Sequence, residues 1–256
     1  MLRCGGCGLV YPNPMPFPRD MSHYETADGY FGAAEGITEG KIAAFAELFD
    51  RATELTGGCG RVLDVGCGCG ESLVAARDAG WAGIGVDPTE RFVAHGRDVL
   101  GVDVRIGLLD AVDEAPASFD LVLFSGVLEH SYEPVGLLRG AHKLLAPGGL
   151  VYVDVPNESS AYTRLGRAAQ RMRGRDWALA LSPTFAPYHV VGFSPRALRV
   201  AFERAGFSVV SLDYYPLMLA MPMGLTGARA ASINWCERFA VRLRVSSGLV
   251  AWGRAS

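Results

Sequence analysis

One segment restricts the fold of this chain more than any other: Val62-Leu63-Asp64-Val65-Gly66-Cys67-Gly68-Cys69-Gly70. A short apolar strand, Arg61–Val65, carries an acid and runs directly into a turn with glycine at alternate positions. A helix, Glu71–Ala79, follows and is closed by Gly80. Glycine in such a turn permits positive φ and lets a ligand approach the backbone. A strand, a glycine turn and a helix amino terminus together form the ligand-binding corner of doubly wound sheets. The G-x-G-x-G spacing differs from the G-x-G-x-x-G of pyrophosphate binders. The next strand, Gly83–Val86, ends at Asp87. A carboxylate there can accept hydrogen bonds from both hydroxyls of a ribose; taken alone, a turn aspartate ahead of Pro88 is the other reading.

The surrounding sequence repeats the same rhythm. Ile42, Phe45, Phe49, Ala52 and Leu55 recur at helical spacing, which predicts an amphipathic helix over Lys41–Leu55, ended by Gly57 and Gly58. A helix over Pro88–Leu100, with Gly101 as its stop, and a strand over Val102–Ile106 come next. Leu121–Phe124 suits a strand buried on both faces. Pro134–Leu145 is a helix stopped by Pro147-Gly148-Gly149, and Leu150–Val155 is a fifth strand. Ser194 and Pro195 are good N-cap and first-turn residues for a helix reaching Ala205, capped by Gly206. Phe207–Asp213 is a sixth strand, Ala228–Leu243 holds a helix, and Gly248–Arg254 is a final strand. This alternation predicts a mostly parallel sheet with helices on both faces. Residues 157–193 lack one clean period; they and residues 214–247 are expected to be inserted lid segments, walling a site beside the sheet.

Charge and cysteine usage narrow the partners. The net charge is −3 over 256 residues, without the clustered basic excess of a nucleic-acid footprint. Basic residues do bunch between Arg164 and Arg175, which fits a solvated helix face. The six cysteines show no disulfide framework, and Met1–Gly8 has no apolar run of a secretory kind, so a reducing, cytoplasmic setting is expected. Leu217–Leu225 is apolar but broken by Pro222, and a membrane span needs about 20 apolar residues. Contact with a membrane surface stays open for that stretch, as does a homo-oligomer. Cys67 and Cys69 lack the further ligands zinc requires; small residues filling a tight loop is the plainer reading. Residues 1–40 form an amino-terminal arm, with Pro12, Pro14, Pro16 and Pro18 holding it extended.

Four features in order carry a resemblance: Leu63-Asp64-Val65-Gly66-Cys67-Gly68; Gly85-Val86-Asp87; Phe119-Asp120-Leu121-Val122 leading to Val127-Leu128-Glu129-His130; and Leu145-Ala146-Pro147-Gly148-Gly149. From about residue 60 to 156 the chain resembles class I S-adenosylmethionine-dependent methyltransferases. Leu128-Glu129-His130 with Val155-Pro156-Asn157, and the segment His189 to Phe207, are similar to the branch of quinone-biosynthesis and natural-product methyltransferases. The resemblance implies a Rossmann-like, doubly wound seven-stranded sheet over residues 41–256, whose last strand, Gly248–Arg254, is antiparallel. It implies S-adenosylmethionine as cofactor, with Asp64 and the loop Gly66, Cys67, Gly68 and Gly70 towards its methionine part, where Ser125 and Gly126 also lie. It places Asp87 on the ribose and Leu108 and Leu109 at the adenine. Many relatives carry an acid at position 108, so that contact is missing here. Cys4-Gly5-Gly6-Cys7-Gly8-Leu9-Val10-Tyr11 resembles the second half of a zinc knuckle that begins many such enzymes. Two cysteines do not complete a tetrahedral site, and no metal is assigned to them. Tyr24, Tyr30 and Phe31 resemble an aromatic cluster that covers the cofactor in relatives; ordinary packing of the arm is the other reading.

The expected reaction is methyl transfer to a small-molecule acceptor. Trp177, Phe185, Tyr188, Tyr214, Tyr215 and Met218 in the insertions suggest that the acceptor is partly aromatic or lipophilic. His130, at the end of the fourth strand, is the candidate general base and His189 its rival. Glu129 and Glu133 stand near His130 to orient it, or to help hold a divalent cation as in some quinone methyltransferases. A turn-capping role for His130 is the competing assignment. A cofactor-binding scaffold without turnover is the alternative function, because fold alone does not establish activity.

Overall fold

A computed structural model describes residues 1–16, 34–175, 181–183, 188–217 and 227–256. The arm opens with two short antiparallel strands, β1 (Leu2–Arg3) and β2 (Val10–Tyr11). Helix α1 (Ala34–Thr56) leads to β3 (Arg61–Val65), α2 (Glu71–Asp78), β4 (Ala82–Asp87) and α3 (Glu90–His95). Then come β5 (Val104–Ile106), β6 (Phe119–Ser125), α4 (Pro134–Leu144) and β7 (Leu145–Pro156). The remainder is α5 (Ala161–Met172), α6 (Pro195–Ala205), β8 (Phe207–Tyr215), α7 (Gly227–Arg242) and β9 (Gly248–Ala255). Strands β3 to β9 form one seven-stranded sheet in the order 5-4-3-6-7-9-8. Only β9 runs against its neighbours, pairing antiparallel with both β7 and β8. This is the doubly wound, mostly parallel sheet expected from the sequence.

Both faces are filled as that architecture requires. Side chains alternate across the sheet, so Leu63, Val65, Val122, Phe124, Val151 and Val153 join a core under α4 and α6. Val62, Leu121, Leu123 and Leu150 face the other way, against Phe49 and Ala52 of α1 and Trp81. At roughly 25 cal/mol per Å² of buried apolar surface, these two layers are the main stabilising contribution. The helix caps follow the sequence: Ser194 accepts a hydrogen bond from Ala197 N, Pro195 opens α6, and Gly206 closes it at φ 92°.

Four boundaries differ from the sequence reading. Helix α1 begins at Ala34 rather than Lys41, so the arm is shorter; Gly36 and Gly40 hide the pattern without breaking the helix. Thr89 is the N-cap of α3, which places Pro88 outside the helix, and the helix ends in a π turn over Gly96–Leu100. A Cβ on Gly96 would lie 2.6 Å from the carbonyl oxygen of Cys69, so this widened turn packs directly beneath the glycine loop. Pro147-Gly148-Gly149 does not stop a helix but sits inside β7 as an irregularity against β6.

The fourth difference concerns the first insertion. It carries α5, but its end is no detachable lid. Val190, Val191 and Phe193 are buried. Val190 N and Val191 N donate to the carbonyl of Glu129 at 2.8 and 3.1 Å, and Gly192 exchanges two hydrogen bonds with Val10 of the arm. Trp177, Phe185, Met218, Tyr24, Tyr30 and Phe31 lie outside the described residues.

Candidate active site

The acid of β3, Asp64, points into the α1 face of the sheet and is buried. Its Oδ2 accepts from the hydroxyl of Ser72, on the first turn of α2. Its Oδ1 is buried without a hydrogen-bond partner, and burial lifts its carboxyl to about 7. The loop that follows is folded back on β4: Gly66 N and Cys67 N both donate to Val86 O, at 2.8 and 3.2 Å. Gly66, Gly68 and Gly70 have φ of 72°, 55° and 86°. The last two differ in what surrounds them. A Cβ on Gly70 would meet Val102 Cγ2 at 2.9 Å, whereas nothing lies within 4 Å of the same position on Gly68. Gly70 therefore serves packing, and Gly68 leaves open space over the loop.

Asp87 closes the loop from below. Its Oδ2 accepts from Gly68 N at 3.0 Å and its Oδ1 from Thr89 N at 2.9 Å. Burial raises its carboxyl, and those backbone donors oppose the rise. Cys67 turns inward, where a Cβ on Gly85 would lie 2.5 Å from its sulfur. Burial pushes the thiol of Cys67 up, and that of Cys69 up to about 11. Both thiols are thus held neutral, and the two side chains fill the loop. Of the two leucines expected at an adenine, Leu108 is exposed at the rim together with Ile106. Leu109 is buried instead, its Cδ2 2.7 Å from where a Cβ on Gly140 of α4 would be. Asp64, Gly66, Gly68, Asp87 and Leu108 thus converge on one edge of the sheet, and Leu109 faces away from it.

Ser125 and Gly126 stand at the end of β6, beside Asp154 of β7 in register. Asp154 is the residue that the sequence reading missed. Tyr215 Oη donates to its Oδ1 at 3.1 Å. Burial raises the carboxyl, while the Ser125, Tyr215 and Tyr152 hydroxyls and Gly126 N oppose the rise. This acid ties the end of β8, where the second insertion begins, to the cofactor edge. A signal was present: Asp154 interrupts the apolar run Leu150–Val155, as Asp64 interrupts Val62–Val65.

Past Gly126 a short 3-10 turn, Leu128–His130, brings the two candidate bases together. The rings of His130 and His189 meet edge to face with centroids 4.8 Å apart. His189 Nε2 lies 3.9 Å from Glu129 Oε1. Glu129 is buried, its Oε2 has no hydrogen-bond partner, and burial lifts its carboxyl to about 8. One ligand atom from each of Glu129, His130 and His189 lies within 4.8 Å of the other two. Glu133 takes no part; it is exposed and serves as the N-cap of α4. The arm reaches this region too, since Tyr132 Oη donates to Pro16 O at 3.1 Å.

The edge fits S-adenosylmethionine on three counts: the unpartnered buried oxygen of Asp64, the open space at Gly68, and an exposed apolar rim beside the carboxylate of Asp87. Comparison with known proteins agrees. Residues 38–212 match the family described as a methyltransferase domain. The chain is 26% identical over 215 residues to a ubiquinone biosynthesis O-methyltransferase of Methylocella silvestris, covering 75% of this chain and 82% of that protein. It is 33% identical over 167 residues to the protein of the same description from Pseudomonas aeruginosa, covering 61% and 69%. Among solved structures, an S-adenosylmethionine-dependent methyltransferase from Archaeoglobus fulgidus superposes with a TM-score of 0.58 at 20% identity, over 88% of this chain and 99% of that one. Another from Thermotoga maritima gives 0.59 at 18% identity, over 91% and 98%. These two likenesses concern the fold.

Proposed function

The chain belongs to the methyltransferase-domain family, and on that premise we propose that it methylates a hydroxyl of a lipophilic, partly aromatic acceptor, with His130 taking up the hydroxyl proton. It is an S-adenosylmethionine-dependent methyltransferase acting on a small molecule. The acceptor class rests on the two relatives above, whose descriptions name ubiquinone biosynthesis, and on Tyr215, which bonds Asp154 at the site. The bound cofactor supplies a methyl group on a sulfonium, so the chain's own contribution is placement and proton handling. We assign Asp87 to the ribose, Ile106 and Leu108 to the adenine, and Asp64, Gly66, Gly68, Ser125 and Gly126 to the methionine end.

The observation that carries the base assignment is the meeting of His130, His189 and Glu129, drawn from segments about sixty residues apart. A neutral imidazole beside the methionine end can accept a proton as the methyl group leaves. His189 packs on the edge of His130 and faces Glu129. Positive charge arising on the imidazoles favours the ionised form of Glu129, which burial otherwise keeps protonated up to about pH 8. The pair thus shares one charge with a carboxyl shielded from water.

Turnover of hydroxylated aromatic acceptors, followed by mass spectrometry, tests this reading together with S-adenosylhomocysteine affinity. His130→Ala should lower turnover by about 10²–10⁴ with cofactor affinity unchanged. His189→Ala should lower it less, and the double variant no further than His130→Ala alone. Near-normal turnover of His130→Ala removes it as the base. The three ligand atoms within 4.8 Å also support a second reading, a divalent cation that binds the acceptor oxygens. Activity lost in a chelator and restored by Mg²⁺ or Zn²⁺ would favour that reading over the base.

A further inference from the structure

We propose that Cys4 and Cys7 form a thiol–disulfide exchange site that takes a small anionic disulfide. The two cysteines stand in the turn between β1 and β2, separated by Gly5 and Gly6. Backbone bonds close this turn: Cys4 N donates to Leu9 O and Gly8 N to Cys4 O, both at 2.8 Å. Gly8, at φ 83°, lets the chain reverse there. A Cβ on Gly6 would lie 3.8 Å from the Cys4 sulfur, so that sulfur lies over the turn. The N–H groups of Cys7 and Gly6, then the Cys7 thiol, bond the Cys4 sulfur and hold its thiol down at about 7. A thiol that ionises near ambient pH is the best attacking group in disulfide exchange, because it is both ionised and still nucleophilic. Cys67 and Cys69 have the opposite surroundings, where burial pushes both thiols up.

Beside Cys4 lies a cleft of about 510 Å³, a volume within the range of small-molecule sites. Arg3, Cys4 and Gly5 of the arm line it together with Ser159, Ser194 and Arg196. Arg3 Nη1 donates to Gly8 O at 3.4 Å and Arg196 Nη2 to Gly6 O at 2.9 Å, so both guanidinium groups are tethered to the cysteine turn. Among the described residues, no carboxylate lines the cleft. Two cations without a counter-charge select an anion, and the thiol between them makes a disulfide the group that reacts. A resident metal would need further ligands, and the one group of three such side chains among the described residues is Glu129, His130 and His189. The exchange runs in two steps. The Cys4 thiolate attacks one sulfur of R–S–S–R, which forms Cys4–S–S–R and releases R–S⁻. The Cys7 thiol then gives its proton to solvent and attacks the Cys4 sulfur, which releases the second R–S⁻ and leaves a Cys4–Cys7 disulfide. Two electrons thus pass from the dithiol to the bound disulfide, and two small thiols reverse the reaction. None of these residues is assigned to the cofactor or the acceptor, so the proposal does not rest on methyl transfer.

The test mixes the reduced full chain with oxidised glutathione, quenches in acid, alkylates the remaining thiols and maps the peptides by mass spectrometry. A Cys4–Cys7 disulfide is expected, with both halves of the glutathione disulfide released. Cys59, an exposed thiol elsewhere on the chain, should react about tenfold or more slowly. In Cys7→Ser the glutathione should stay attached to Cys4, and in Cys4→Ser the Cys7 thiol should react no faster than Cys59. Oxidised glutathione should outpace cystamine, a cationic disulfide, by roughly tenfold or more once each is scaled to its rate with 2-mercaptoethanol. Arg3→Gln with Arg196→Gln should erase that preference, and Arg3→Lys with Arg196→Lys should keep it. An unfolding temperature equal to the parent's in both double variants excludes a loosened arm as the cause. Cys4 reacting no faster than Cys59, a mixed disulfide that persists in the parent, or equal scaled rates for the two disulfides overturns the proposal. So does one tightly held zinc per chain that blocks both thiols.

Discussion

Asp87→Ala is the sharpest test of the cofactor edge, because this carboxylate is proposed to do two things at once. It holds Gly68 N and Thr89 N at 3.0 and 2.9 Å, and it is assigned to the ribose hydroxyls. A lost hydrogen bond to a charged group costs about 1.5–3 kcal/mol, or roughly ten- to a hundredfold in affinity. The stability cost is smaller. Gly68 is half-buried and water can replace its acceptor, whereas Thr89 is buried, and its orphaned N–H costs about 1–3 kcal/mol. Relief of the desolvation that raises the Asp87 carboxyl offsets part of this. A net loss of about 1 kcal/mol lowers Tm by roughly 2–4 °C in a chain of this size.

Affinity alone does not separate a ribose contact from a loosened loop, but a cycle on the ligand does. Calorimetric titration would compare S-adenosylhomocysteine with its 2′-deoxy analogue. In the parent protein the analogue should bind about tenfold more weakly; in Asp87→Ala the two ligands should bind alike. Equal penalties for the missing hydroxyl in parent and variant would show that Asp87 only shapes the loop. An unchanged dissociation constant in a folded Asp87→Ala would remove it from the site altogether.

Gly68→Ala should abolish most cofactor binding and destabilise by about 1–2 kcal/mol, the strain of a Cβ at φ 55°, because that Cβ otherwise enters only the open space over the loop; Gly70→Ala adds a collision with Val102 to the same strain and should destabilise by about 1–3 kcal/mol more. Thermal unfolding with and without S-adenosylhomocysteine reads both. Burial lifts Glu129 from 4.5 to about 8, so its neutral form is the one the fold favours, and that stability is complete below pH 4.5 and lost as pH rises through 8. Glu129→Gln, which keeps the neutral shape, should raise Tm increasingly from pH 5 to 8 and change little at pH 4; a gain that is constant with pH would contradict the buried-carboxyl account. For Cys4 and Cys7, elemental analysis should find zinc well below one per chain, because two thiolates do not complete a tetrahedral site. One zinc per chain, lost in Cys4→Ser, would mean that further ligands complete it.

The parts of this molecule legible in its sequence share one property: they are local. Asp64, the glycine loop and Asp87 follow one another along a single strand–turn–helix–strand unit, so spacing alone aligns them. The Ser194–Pro195 start and Gly206 stop of α6 are equally local. The two histidines illustrate the opposite case. Their sequence neighbourhoods offered them as rivals, and only the fold shows that they are partners. What joins them is not a side-chain pattern. The carbonyl of Glu129 accepts from Val190 N and Val191 N, Gly192 exchanges hydrogen bonds with Val10, and Glu158 N donates to Phe193 O. Backbone pairing of this kind is indifferent to residue type, so it leaves no periodicity in residues 188–193, and the segment reads as an aperiodic insertion. Yet those same bonds fix His189 against His130 and lock the arm to the end of β7. The insertions therefore divide by backbone satisfaction rather than by sequence. Segments whose N–H and C=O groups are taken up by the sheet region, such as 188–193, pack against the candidate site. In α5 and α7, whose interior backbone bonds are met within each helix, the side-chain pattern decides which face is buried, and Thr163 and Glu237 are turned inward.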